Sequence, residues 1–156
     1  MDIENKIEKK LQELGLTLPE PPKKAGVYVP VKEFGSSLAY VSGCLPIIEG
    51  TIITGKLGAD CTIEDACKAA EWCTLNILAN LKAQFGSLGR IKNFVKMTVF
   101  VACTQDFYQH PQVANAATEM LVNIFGEEIG CPSRSAFGVS SLPANVPVEI
   151  ELMVEV

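Results

Sequence analysis

The sequence holds one histidine, His110, and one tryptophan, Trp72. A single imidazole excludes a ribonuclease that works through a histidine pair. The six cysteines contain no Cys-x-x-Cys pair. Cys61, Cys67 and Cys73 recur every six residues, which points them in different directions around a helix, and Cys44, Cys103 and Cys131 stand apart. Neither a zinc site nor a disulfide framework is expected, and the thiols read as small buried hydrophobes. Gly50, Gly55 and Gly58 do not form a phosphate loop, because no Gly-Lys-Ser/Thr follows them. No apolar run approaches the roughly 20 residues that span a bilayer. The opening Met1-Asp2-Ile3-Glu4-Asn5 is acidic and lacks the apolar stretch of a signal peptide, so a cytoplasmic protein without a membrane partner is expected. Basic clusters are missing too. Thirteen Lys and Arg stand against eighteen Asp and Glu, for a net charge of -5. Nucleic acid is therefore not the expected partner, and an anionic ligand must be caught by a local cation.

What is present suits a globular chain: 48% hydrophobic and 20% charged residues, at a length that favours one domain over residues 1–156. Residues 1–25 read as an N-terminal helix and a proline-rich lead. Ile3, Ile7, Leu11 and Leu14 recur at helical spacing over residues 2–14, with Gly15 as a stop. The loop Leu18-Pro19-Glu20-Pro21-Pro22 leaves the helix as either a mobile lead or a packed strut. Strands are predicted over Val27–Val31 and Leu38–Ser42, with a short extra pair at Ile47-Ile48 and Ile52-Ile53. Thr62 with Asp65 forms a capping box for a helix that runs to Phe85 and stops at Gly86. Ala66, Ala70, Cys73, Ile77, Leu81 and Phe85 share one side of it, which leaves Trp72 and Asn76 off the core stripe. In the strand from Ile91 to Cys103, Val95, Met97, Val99 and Val101 alternate with Phe94, Lys96, Thr98 and Phe100. Pro111 opens a second long helix ending at Phe125-Gly126. The last strand places Val148, Ile150, Leu152 and Val154 on one face and Glu149, Glu151, Met153 and Glu155 on the other. Two long helices cover one face of such a sheet. The mixed second face then points to an oligomer.

The last quarter carries the chemistry. Pro132-Ser133-Arg134-Ser135 begins one strand and Val148-Glu149-Ile150-Glu151 the next, with Leu142-Pro143 between them. If those strands are neighbours, a guanidinium and a carboxylate meet at one end of the sheet. Arg134 reads either as a surface arginine paired with Glu149 or Glu151, or as the fork that grips a small carboxylic acid.

With Gly26-Val27-Tyr28-Val29, Val41-Ser42-Gly43, Pro46, Gly55-Lys56-Leu57-Gly58 and Asn115, these motifs follow one another in a recognisable order. From Gly26 onward the chain resembles the reactive intermediate deaminase family (Rid, also called YjgF, with the older name liver perchloric-acid-soluble protein endoribonuclease). The resemblance implies an α+β, chorismate-mutase-like fold: a mixed β-sheet with two long helices on one face, here preceded by the N-terminal helix. It also implies a homotrimer with sites in the clefts between subunits. The activity implied is hydrolysis of reactive enamines and imines to 2-keto acids and ammonia, with no cofactor and no metal. Arg134 would hold the substrate carboxylate and Glu149 would position water. Tyr28 would line the pocket from across the interface, Ser42 and Asn115 would shape it, and backbone near Gly43 and Ala136 would meet the imine. Two positions depart from the family pattern: Cys44 stands where Gln is frequent, and Ala136 where the deaminase branch commonly has Cys. The competing readings are an endoribonuclease acting on single-stranded RNA and a non-catalytic protein that binds small carboxylates.

Overall fold

The computed structural model describes residues 2–156; Met1, the first residue of the expected helical lead, lies outside the described residues. Helix α1 (Ile3–Glu13) buries Ile7 and Leu11, while Ile3 and Leu14 stay exposed. Its first turn is tied to the body of the protein. The Glu4 carboxylate accepts from the Gly89 amide at 2.7 Å and from the Ser87 hydroxyl, and Lys82 reaches Glu4 at 3.7 Å and Glu8 at 3.4 Å. Burial pulls the Glu4 pKa up, but these donors outweigh it and the net shift is downward. Of the two readings of the lead, the packed strut is the one observed.

The expected strand at Val27–Val31 does not form. Gly26, Val27 and Tyr28 bend, Val27 is fully exposed, and strand β1 starts only at Val31 (Val31–Phe34). Pro30 explains this: it has no N–H for a ladder and restricts the residue before it. The carbonyls there are met by one residue of the next strand instead, since Ser42 donates its hydroxyl to the Val29 carbonyl at 2.7 Å and its amide to the Pro30 carbonyl at 2.9 Å.

From β1 the chain turns at Gly35 into β2 (Leu38–Cys44), then makes a separate small sheet of β3 (Ile47–Ile48) and β4 (Thr51–Ile52). Helix α2 (Ile63–Phe85) opens where the Thr62 hydroxyl accepts from the Asp65 amide at 3.1 Å and closes at left-handed Gly86, both as read from the sequence. There follow β5 (Asn93–Ala102), α3 (His110–Phe125), the short α4 (Glu127–Gly130), β6 (Ser133–Val139) and β7 (Val148–Glu155). The main sheet has the order β1-β2-β7-β5-β6, antiparallel except for the parallel pair β5 and β6. Helices α2 and α3 cover one face, where Val41, Met97, Val99, Ile150 and Leu152 are all at most 1% exposed.

Two sequence expectations fail inside this core. Val95 was aligned with Met97, but β5 carries an irregularity against β7 between Phe94 and Lys96, so one residue is extra there. The extra residue resets the alternation. Phe94 turns into the core at 1% exposure, edge-on to Phe125 at 4.8 Å, and Val95 does not. Asn76, expected off the core stripe, is buried because the loop between β2 and β3 needs donors. Its side-chain amide donates to the Leu45 and Ile47 carbonyls at 2.9 and 2.8 Å.

The bulge makes a testable asymmetry between neighbours. Phe94→Ala is expected to cost about 3–5 kcal/mol in urea unfolding, and Val95→Ala less than about 1.5 kcal/mol. Equal costs would mean that the alternation runs unbroken.

Candidate active site

Strands β6 and β7 are not neighbours, contrary to the sequence expectation; β5 lies between them. Across β5, Arg134 is level with Met97 and Glu149 with Phe100. Met97 faces the helices, and Phe100 the opposite side, where it meets the Phe137 ring. The two residues therefore sit on opposite faces of one sheet, displaced along it by three residues. Among the described residues Arg134 makes no ion pair, so neither Glu149 nor Glu151 is its partner.

Arg134 leans over α3. Its Nη1 donates to Asn115 Oδ1 at 2.8 Å and to Thr118 Oγ1 at 3.2 Å. Both acceptors are neutral, so the guanidinium keeps its charge uncompensated and its other donors free for an anion. Asn115 and Thr118 are three apart on a helix and share a face; that spacing was the available signal for Thr118, which the sequence reading missed. Ala136 follows two residues on, on the same face of β6, partly packed against the core.

The other predicted residues gather elsewhere. Tyr28, Ser42, Gly43 and Glu149 line one hollow of about 370 Å³, together with Leu45 and Pro143. A register irregularity between Val41 and Cys44 puts one extra residue of β2 against β7 and lets Glu149 fold over Gly43. A side chain at position 43 would overlap the Glu149 carboxylate, whose Cδ stands 3.0 Å from where a Cβ would lie. Glycine is what lets the Glu149 side chain lie directly over the backbone here. Burial raises the Glu149 pKa, and the like charge of Glu151 raises it further. Cys44 takes no part: it turns to the helix side, 3.4 Å from the Asn80 amide, and burial pushes its thiol up to about 12.

The predicted residues thus fall into two separate groups, one cationic and one with a carboxylate of raised pKa. Among the described residues no three of His, Cys, Asp or Glu stand close enough together to hold a metal ion. Nor, among the described residues, is any helix long and apolar enough to cross a membrane.

A family model described as "YjgF/chorismate mutase-like, putative endoribonuclease" matches residues 8–156. The chain belongs to the YjgF family. Its mixed sheet, two long helices and added N-terminal helix are the α+β, chorismate-mutase-like fold that the sequence resemblance implied. Among relatives, Protein TCP17 of Trypanosoma cruzi is 39% identical over 146 residues, covering 93% of this chain and 91% of that protein. The crystal structure of Agrobacterium tumefaciens protein Atu1372, of unknown function, matches with a TM-score of 0.89 at 40% identity, over 99% of this chain and 96% of that one. Escherichia coli TdcF, solved with bound serine, matches with a TM-score of 0.63 at 25% identity, over 90% of this chain and 95% of its own.

Glu149 yields a linkage prediction. A carboxyl whose folded pKa is raised leaves stability intact below its unfolded value, and stability falls as pH climbs through the folded one. Glu149→Gln removes that loss. Relative to wild type it is expected to gain stability in denaturant titrations between pH 4 and pH 7; a gap that stays constant would show that Glu149 titrates normally.

Proposed function

We propose that this YjgF protein hydrolyses small 2-imino acids and their enamine tautomers to 2-keto acids and ammonia, in a cleft formed where two protomers meet. The observation that carries the reading is the division of the site into two incomplete halves. Arg134, Asn115, Thr118 and Ala136 offer an anion anchor with no base. Glu149, Tyr28, Ser42 and Gly43 offer a base with no cation. Apposed across an interface, the halves supply what the reaction needs. The open face of the sheet, with Phe34 stacked on Tyr40 at 5.0 Å and Phe100 against Phe137 at 5.2 Å, supplies apolar surface for such an assembly, which we take to be a homotrimer. A small amino acid bound to TdcF fits a ligand of this size and charge.

The steps need only groups already named. Arg134 pairs with the substrate carboxylate. Glu149 takes a proton from water as its oxygen bonds to the C=N carbon, and the π pair moves to nitrogen. The protonated Glu149 then returns the proton to the nitrogen of the carbinolamine. As the C–N bond breaks and ammonia leaves, the hydroxyl gives its proton to the Glu149 carboxylate and becomes the ketone oxygen, so that a protonated imine and water yield the keto acid, ammonia and one proton. A carboxyl with a raised pKa suits both directions of that transfer.

The test couples the protein to a serine or threonine dehydratase and follows keto-acid release. Glu149→Gln is expected to lower kcat by ~10²–10⁴-fold. Arg134→Lys, which keeps charge but loses the fork, is expected to raise KM by about tenfold or more. The acid limb of kcat/KM is expected above the ordinary carboxylate range. Full activity in Arg134→Ala would end this reading.

The family description favours a second reading, an endoribonuclease. Cleavage of single-stranded RNA that survives repeated purification and vanishes in Glu149→Gln would support it over imine hydrolysis.

A further inference from the structure

Cys103 and His110 meet where β5 ends and α3 begins, with Sγ and Nε2 3.4 Å apart. His110 is the first residue of α3, and its ring is held edge-on by Phe107 at 5.3 Å. Gly138 of β6 lies over both. A Cβ there would come within 2.7 Å of the Cys103 sulfur and 2.8 Å of His110 Nε2, so the lack of a side chain is what leaves the pair room to meet. A hollow of about 500 Å³ opens onto them, lined also by Lys56, Thr104 and Tyr108. The imine chemistry proposed above uses none of these groups.

We propose that Cys103 is a nucleophilic thiol with His110 as its base, and that the hollow admits α,β-unsaturated carbonyl compounds which the thiol captures covalently. Burial keeps the proton on the Cys103 sulfur, an effect that Lys56 opposes. Reaction therefore needs a base in contact, which is the arrangement by which an un-ionised nucleophile is activated. His110 Nε2 takes the thiol proton as sulfur bonds to the β-carbon of the acceptor. The C=C pair becomes an enolate, and that carbanion takes the proton back, leaving a thioether and a neutral imidazole. No oxidant or reductant enters. The other five thiols lack this arrangement. Cys44 and Cys73 are buried, Cys61 and Cys67 have their thiol pKa raised by burial and by nearby carboxylates, and Cys131 is exposed with no imidazole beside it.

The test treats the full-length protein with limiting N-ethylmaleimide and follows each cysteine peptide by mass spectrometry. This readout is independent of imine turnover. Cys103 is expected to react about tenfold faster than the more exposed Cys131, and His110→Ala to abolish that lead, with added imidazole restoring part of it. Gly138→Ala, whose Cβ would crowd the sulfur and Nε2 and push the pair apart, is expected to slow Cys103 as well. That second variant decides the matter if His110→Ala fails to fold. Modification of Cys131 ahead of Cys103 in the wild type, or an unchanged Cys103 rate in either variant, would overturn the proposal.

Discussion

The position of β5 between β6 and β7 governs what one copy of this chain can do chemically. Neighbouring residues across paired strands share a face, so a residue level with Met97 looks toward the helices and one level with Phe100 looks away. Arg134 and Glu149 inherit those opposite directions. No side-chain rotation carries a guanidinium through a hydrogen-bonded sheet. The two side chains are thereby kept apart within the protomer, and the cleft proposed above between two copies is what would bring such a cation and base to one small molecule.

Each half is prepared by a different local device. Around Arg134, neutral acceptors on α3 fix the guanidinium without neutralising it. Around Glu149, the extra residue in β2 and the bare backbone of Gly43 let the carboxylate settle into a half-buried seat beside Glu151. The seat raises its pKa at some cost to stability above that pKa, as expected where a group is tuned for proton transfer and not for ion pairing. Ser42 joins this half to the lead, because its hydroxyl and amide hold the Val29 and Pro30 carbonyls and so place Tyr28 at the rim.

Much of this was legible in the order of residues. The Thr62 cap, the Gly86 stop, Pro111 and the alternation of β7 are local signals, and local signals located α2, α3 and the final strand. Strand order is not local. Nothing in the spacing of Arg134 and Glu149 says that β5 inserts between them, so their expected meeting on adjacent strands failed. A bulge is equally silent in sequence, which is why Phe94 and Val95 exchanged roles. Helical spacing puts Asn76 off the core stripe, and only the fold shows the Leu45 and Ile47 carbonyls that bury it. Four of the seven candidate site residues do share one hollow, and the other three do cluster on β6 and α3. The grouping, with Glu149 beside Tyr28 and apart from Arg134, required the fold. The Cys103–His110 contact has no local signature in the sequence, and it is the turn from β5 into α3 that brings the pair together.

The central claim, that one cleft takes its cation and its base from different copies, is tested most directly by subunit complementation. Arg134→Ala and Glu149→Gln chains, each inactive alone, are co-expressed so that they assemble together, and keto-acid release is measured. Random mixing in a ring of like subunits leaves about a quarter of the clefts with both residues intact, so activity near that fraction of wild type is the expected result. Mixed assemblies that remain as inactive as either parent would contradict the account.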